Sequence, residues 1–190
     1  ATQPLILDFP NKNTIWNAGG SFNSFFCLFK TRCKGMIYNP KLKIDTYTQW
    51  ISGCCILVKI AVIKKVGLLD NRFFIYFEDA DWSIRMTNLG YKLGVVPESI
   101  IYHHSSGSNV KNNTSSEGNL SPYSHYLNVR NHIYLIKKHS FLFNKLGSWL
   151  YQIFKIFSYS IYFILRGRLG KFKMVWRGVL DGVKIKTLNT

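Results

Sequence analysis

Acidic residues are scarce in this 190-residue chain, nine Asp and Glu against 25 Lys and Arg, and the formal net charge is +16. That balance excludes an acidic solvating chain and points to polyanionic partners: nucleic acid, an anionic membrane surface or phosphorylated substrates. Cysteine is scarce too. Cys27, Cys33, Cys54 and Cys55 show no paired CxxC spacing, which excludes the common structural zinc modules; the adjacent Cys54-Cys55 reads as core filling, and a reducing compartment is expected. No basic start followed by an apolar stretch opens the chain, and there is no initiator Met. What is plentiful is apolar surface: at 47% hydrophobic and 16% aromatic residues the chain is not disordered by composition, and its length suits one domain or one domain with an appendage.

The few acids are unevenly placed. Glu78, Asp79 and Asp81 fall within four residues of one another in FFIYFEDADWSIR, Phe73 to Arg85, directly behind a row of aromatics. The basic residues gather elsewhere, with eleven Lys or Arg and one acid, Asp181, from Lys137 to Thr190.

Residues Ala1 to Pro40 read as short strands joined by turns, with an AGG turn at Ala18 to Gly20. WISGCCILVK from Trp50 reads as a buried strand, and IAVIKKVG as a short helix stopped by Gly67. The acidic cluster opens a helix from about Glu78 to Leu89 with Gly90 at its end, followed by two short strands in YKLGVVPES and IIYH. This order predicts an α/β fold. Ser105 to Pro122 is polar and aperiodic, a loop of the length expected for a lid or acceptor loop, with N-x-[ST] patterns at Asn112 and Asn113. From Tyr123 the pattern is helical; Leu146 to Leu165 reads as an interfacial amphipathic helix rather than a spanning one, and the last segment as a basic amphipathic stretch suited to anionic headgroups.

Acids in the first turn of a helix are favoured by its dipole, and Asp81 with Arg85 is an i,i+4 ion pair, so a structural role accounts for Asp81. Glu78 and Asp79 follow FFIYF directly, and an apolar wall raises the basicity of a carboxylate toward that of a general base.

The run Trp50 to His104 resembles the C-terminal half of the catalytic domain of family-two glycosyltransferases, in particular their rhamnosyltransferase-like branch. The likeness lies in an ordered chain of motifs: Ser52-Gly53, Gly67 to Asp70, Phe73-Phe74, Glu78-Asp79, Asp81-Trp82, Arg85, Gly90-Tyr91-Lys92 and His103. TIWNAGGSFN and YLNVRNHIYL extend it to either side, and the basic C-terminal helix is similar to the family's membrane-associated tail.

The resemblance implies a partial GT-A domain over residues 1–122 and a basic, membrane-associating helical extension over 123–190. It also implies an inverting hexosyl transfer at the cytoplasmic face of a membrane, from a nucleotide-diphospho-sugar such as dTDP-rhamnose to a lipid-linked or cell-surface glycan. Asp79 is then the base; Glu78 orients acceptor hydroxyls, Asp81 pairs with Arg85, and Trp82 lines the acceptor side. Ser52 and Gly53 run beneath the donor sugar. His103, or alternatively its neighbour His104, completes a Mn²⁺ or Mg²⁺ site, while Arg130 and Asn131 suit either contact with an acceptor phosphate or a helix-capping or interhelix role. The family's N-terminal half, with its nucleotide pocket and D-x-D metal motif, has no counterpart here, since the upstream acids are only Asp8 and Asp45. The expectation is either a fragment that begins inside a longer protein, or a short polypeptide that is a remnant or takes the first half from a partner. A non-catalytic basic module gripping a membrane surface or nucleic acid is the rival reading, supported by charge interleaved with aromatics but by no nucleic-acid motif.

Overall fold

Leu5, Ile6 and Leu7 form an unbroken apolar run, and such a run cannot sit in a half-exposed strand; it belongs inside a sheet. A computed structural model, which describes residues 1–9, 11–104 and 120–187, places it there. Strand β1 (Thr2–Asp8) lies in a four-stranded sheet of order β2-β1-β6-β5, parallel to β6 (Leu93–His103) and antiparallel to β2 (Ile15–Asn17), with β5 (Tyr47–Thr48) antiparallel to β6. Strands β3 (Gly20–Asn23) and β4 (Leu28–Thr31) form a separate two-stranded sheet. The fold is thus mixed α/β, as the element order implied.

The two strands expected in 91–104 are a single β6. Its register on β1 jumps from Pro4 opposite Val96 to Leu5 opposite Ile100, so residues 97–99 bulge out. Pro97 has no N–H to give a ladder and is accommodated in the bulge.

The expected strand at Trp50–Lys59 is absent. Its strand-like pairing is confined to single bridges, Gly20 with Trp50 and Thr2 with Leu57. The reason is local: three successive N–H groups are taken by side chains and are lost to any ladder. Ile51 donates to Ser83 Oγ (3.2 Å), Ser52 to Gln3 Oε1 (2.7 Å) and Gly53 to Asp79 Oδ2 (2.8 Å). The chain then turns outward, so Cys54 is exposed and Cys55 half-buried, contrary to the core filling expected of them; Cys27 is the buried cysteine.

Helices α1 (Ile60–Val66) and α2 (Glu78–Asn88) complete the α/β part. Gly67 and Gly90 stop them at φ of 82° and 79°, left-handed positions that glycine fills without strain. Ile51, Val62, Trp82, Met86 and Leu93 make one core cluster and Leu5, Leu7, Ile15 and Ala18 another. Each Leu, Ile, Val or Met side chain among them contributes about 1.5–3 kcal/mol on burial.

The helical part contains α3 (Pro122–Lys138), α4 (Lys145–Leu165) and α5 (Leu169–Lys184). Ser121 caps α3 by accepting from the Ser124 N–H, with Pro122 at the first helical position, and Asn144 caps α4 by accepting from the Gly147 N–H. Gly178 and Gly182 lie one turn apart on α5, and a Cβ on them would meet the Tyr126 carbonyl at 2.7 Å and the Arg130 carbonyl at 2.9 Å. Backbone-close packing of α5 on α3 therefore needs both glycines. Lys137 of α3 closes the end of α5 by donating to the carbonyls of Val183 (2.5 Å) and Ile185 (2.6 Å).

Helix α4 is turned the unusual way round. Gly147, Ser148, Gln152 and Ser160 are buried with Ile156 and Phe163, while Leu146, Leu150, Ile153, Phe154, Phe157, Ile161, Ile164 and Leu165 are exposed along one stripe. Among the described residues, no helix is long and apolar enough to cross a membrane.

The chain clusters into two compact units: an α/β unit of Ala1–Asn23, Phe29–Phe74 and Glu78–Ser105, and a helical unit that adds Ser24–Leu28 and Ile75–Phe77 to the C-terminal helices. The polar segment 105–119, with its N-x-[ST] patterns, lies outside the described residues.

Candidate functional site

The aromatic row before the acidic cluster is held in a costly conformation. Phe74, Tyr76 and Phe77 have φ of 64°, 69° and 69°, in the left-handed region that bulky side chains avoid. Fully buried Asn131 holds part of it by donating its amide to the carbonyls of Ile75 (2.7 Å) and Tyr76 (3.0 Å), while Arg130 Nε donates to Asn131 Oδ1 (2.8 Å) and its guanidinium lies 5.5 Å from the Tyr126 ring centre. Asn131 is therefore a backbone clamp.

Helix α2 starts directly afterwards, with Glu78 and Asp79 in its first turn. Asp79 Oδ2 accepts from the Gly53 N–H (2.8 Å) and Oδ1 from the Ala80 N–H (2.8 Å). Burial nevertheless raises its pKa, the hydrogen bonds opposing that rise. Glu78 is pushed up to about 7, first by burial and second by the charge of Asp79 beside it. Its Oε2 is buried and makes no hydrogen bond among the described residues. A Cβ on Gly53 would stand 3.4 Å from Glu78 Oε1 and from Asp79 Cβ, so glycine leaves the approach to both carboxyls open.

Two carboxyls therefore share one short stretch with different proton affinities and different bonding. Asp79 is oriented by backbone donors, and Glu78 changes charge near neutral pH. Such a pair can orient a hydroxyl and take its proton.

The other residues singled out in the sequence divide between this pair and the frame around it. Asp81 is fully buried and accepts from Arg85 Nε (2.9 Å); Arg85 also donates to the carbonyls of Val66 (2.7 Å) and Leu68 (2.7 Å), tying α2 to the end of α1. Trp82 does not line an open surface: it is a core residue whose Nε1 donates to the Gly67 carbonyl (2.9 Å). Ser52 is buried, with its N–H on Gln3, and supports Gly53 from the side. His103 ends β6 opposite Asp8 of β1, its ring 4.4 Å from that of Trp16, while His104 packs against Phe9 at 5.6 Å. Among the described residues no three His, Cys, Asp or Glu side chains come together as a metal-holding group.

Gln3, Asn17 and Ser83 went unnoticed in the sequence. Gln3 Nε2 donates to Asn17 Oδ1 (2.9 Å), which also accepts from the Gly19 N–H (2.7 Å). A buried polar chain thus links the AGG turn to Ser52 and Gly53. The only trace of it in the sequence is a glutamine inside an otherwise apolar strand.

Over 55 residues, 29% of its length, the chain is 38% identical to the N-acetylglucosaminyl-diphospho-decaprenol L-rhamnosyltransferases of two strains of Mycobacterium tuberculosis. The match covers 18% of those relatives' length. No family model matches the chain. The likeness is partial and of a glycosyltransferase kind.

Proposed function

We propose that the chain carries the acceptor-activating part of a glycosyltransferase. The observation that carries this reading is the Asp79 carboxyl, fixed by the Gly53 N–H beside a Glu78 that titrates near neutral pH, in a chain with partial likeness to rhamnosyltransferases. In the reaction an acceptor hydroxyl oxygen attacks the anomeric carbon of the donor sugar and the bond to the nucleoside diphosphate breaks. The hydroxyl proton goes to Asp79, whose backbone hydrogen bonds keep it oriented, and Glu78 holds a second acceptor hydroxyl. Inversion at the anomeric carbon follows from this single displacement.

The donor is a nucleotide-diphospho-sugar, with dTDP-rhamnose the first candidate, and the acceptor a lipid-linked or cell-surface glycan. His103 would be one ligand to a Mn²⁺ or Mg²⁺ ion, whose charge would offset that of the leaving diphosphate; no further ligand from the described residues is assigned to it. The exposed apolar stripe of α4, with the basic residues of α5, supports peripheral attachment to an anionic membrane surface. The oriented carboxyl pair favours this reading over a nucleic-acid module, which has the net charge and basic residues interleaved with aromatics behind it but no nucleic-acid motif.

The test is to incubate the full-length polypeptide with a panel of nucleotide sugars and a lipid-diphosphate glycan acceptor. Release of nucleoside diphosphate that depends on both substrates is expected. Steep, salt-sensitive binding to any oligonucleotide, with no sugar transfer from any donor, would overturn the proposal.

A further inference from the structure

Phe77 is the last residue of the left-handed aromatic row, and its peptide bond leads straight into Glu78, the first residue of α2. A bulky residue at a φ of 69° keeps that conformation only when its neighbours over-determine it. Asn131 holds the carbonyls of Ile75 and Tyr76, the two residues before it. The ring of Phe77 itself lies on that of His132, the next residue of α3, with centres 4.7 Å apart and planes 24° from parallel.

His132 is only 4% exposed, and both of its ring nitrogens are engaged. Lys155 of α4 donates to Nδ1 (2.9 Å), which puts the ring hydrogen on Nε2, and that hydrogen goes to the Cys27 carbonyl (2.7 Å). Cys27 belongs to the segment Ser24–Leu28 of the same helical unit, and this segment is tied in turn to α4 and its cap. The Asn144 N–H donates to the Ser24 carbonyl (2.9 Å) and Ser148 Oγ to the Phe25 carbonyl (3.3 Å). The ring is thus fixed from α3, from α4 and from Ser24–Leu28, and turning it would break two hydrogen bonds in a buried place. The other titratable groups here are the Cys27 thiol, which interacts with Lys155, and Tyr151 of α4, whose ring centre lies 6.2 Å from that of His132. An apolar side chain would fill the same space without having to find two polar partners; what the bonded imidazole adds is a fixed ring plane.

We propose that His132 is a positioning residue for the Glu78–Asp79 pair, acting through Phe77. The stacked ring sets the direction in which the chain leaves Phe77, and with it the first turn of α2, where both carboxyls stand. That role rests on the reading of the pair as the acceptor-activating groups of a transferase, while its first measurement needs no sugar transfer.

The experiment uses the full chain. His132→Leu removes the supporting ring and its two hydrogen bonds, and Phe77→Leu removes the stack from the other side while leaving the imidazole bonded. The titration of Glu78 is followed by carboxyl ¹³C NMR, with Glu78→Gln assigning the signal. In the unchanged chain its midpoint is expected at about 7, with Asp79 the charge beside it. Positioning predicts that each variant brings the midpoint down by about one pH unit or more, a tenfold weaker hold on the proton. The double variant should move it no further than Phe77→Leu alone, because one and the same contact is lost. Where transfer is measured, kcat should fall about tenfold with the donor KM unchanged. A merely structural role would lower the urea midpoint and leave the Glu78 titration near 7, and that result overturns the proposal, as do displacements that add in the double variant. If His132→Leu does not fold, Phe77→Leu decides by the same midpoint. Displaced midpoints in a chain that transfers no sugar would remove the transferase reading and leave the link from His132 to the carboxyls standing.

Discussion

In the α/β unit the notable buried ionisable groups are acids, and in the helical unit they are bases. Asp81 is fully buried against Arg85, and Glu78 is pushed up to about 7. On the other side of the comparison, Lys155 of α4 is pushed down to about 7 by burial, and buried His132 is held well below its ordinary value, chiefly by burial and then by Lys155. Lys155 donates to His132 Nδ1 (2.9 Å), so the ring hydrogen sits on Nε2 and goes to the Cys27 carbonyl (2.7 Å). Phe77 stacks on that ring at 4.7 Å. The buried acid Asp81 has an ion-pair partner, whereas the base Lys155, a half-buried residue, has a neutral one. A charge with a counter-ion is kept at neutral pH; a charge with only a neutral acceptor is close to giving up its proton.

The largest expected effect breaks the acid side. Arg85→Met removes the cation beside Asp81 and frees the Val66 and Leu68 carbonyls at the end of α1, and it should cost about 3–5 kcal/mol of unfolding free energy in urea titration. The matching change on the base side, Lys155→Met, should cost less, about 1–3 kcal/mol at pH 7, because it removes a poorly compensated charge but leaves His132 Nδ1 without its donor. Equal losses from the two variants would remove the contrast.

The pH dependence sharpens it. Folded Glu78 binds its proton more tightly than the unfolded value of 4.5, so its contribution to stability is full below pH 4.5 and is lost as pH rises to about 7. Folded Lys155 binds its proton less tightly than the unfolded 10.5, so its contribution is full above pH 10.5 and is lost as pH falls to about 7. Urea midpoints across pH should therefore fall through the acidic window and rise through the alkaline one. Glu78→Gln should flatten the first slope alone, whereas Lys155→Met should flatten the second and also alter the profile below pH 6.5, because it relieves the charge that lowers His132. An alkaline slope that Glu78→Gln flattens would contradict the separate origins.

The smallest effect concerns the frame. Trp82→Phe keeps the ring in the core and removes only the bond to the Gly67 carbonyl, an expected loss of about 0.5–1.5 kcal/mol, read as a shift in urea midpoint without a change in slope.

What could be read from the sequence followed the range of the forces involved. Helix α1, the acidic opening of α2 and the Gly90 stop depend on neighbours within a turn, so periodicity and capping residues revealed them. The Asp81–Arg85 pair is likewise four residues long. The Trp50 segment misled because its composition suits a strand while its N–H groups are claimed by Gln3 and Asp79, each many residues away. The left-handed Phe74, Tyr76 and Phe77 were hidden for the same reason: their residue types oppose that conformation, and one clamp for it, Asn131, comes from α3. Asp79 was visible as a candidate base, but not that the Gly53 N–H orients it. Nor could α4's stripe be assigned an orientation, since a periodic apolar face gives no sign of whether it packs inward or outward.

The most direct test of the central claim compares sugar transfer by the full-length polypeptide with that of Asp79→Asn, alongside donor binding by both. If Asp79 takes the acceptor proton, the variant loses roughly 10²–10⁴-fold in turnover while donor affinity stays unchanged, because a lost base acts on the transition state. Normal turnover by Asp79→Asn would contradict the account.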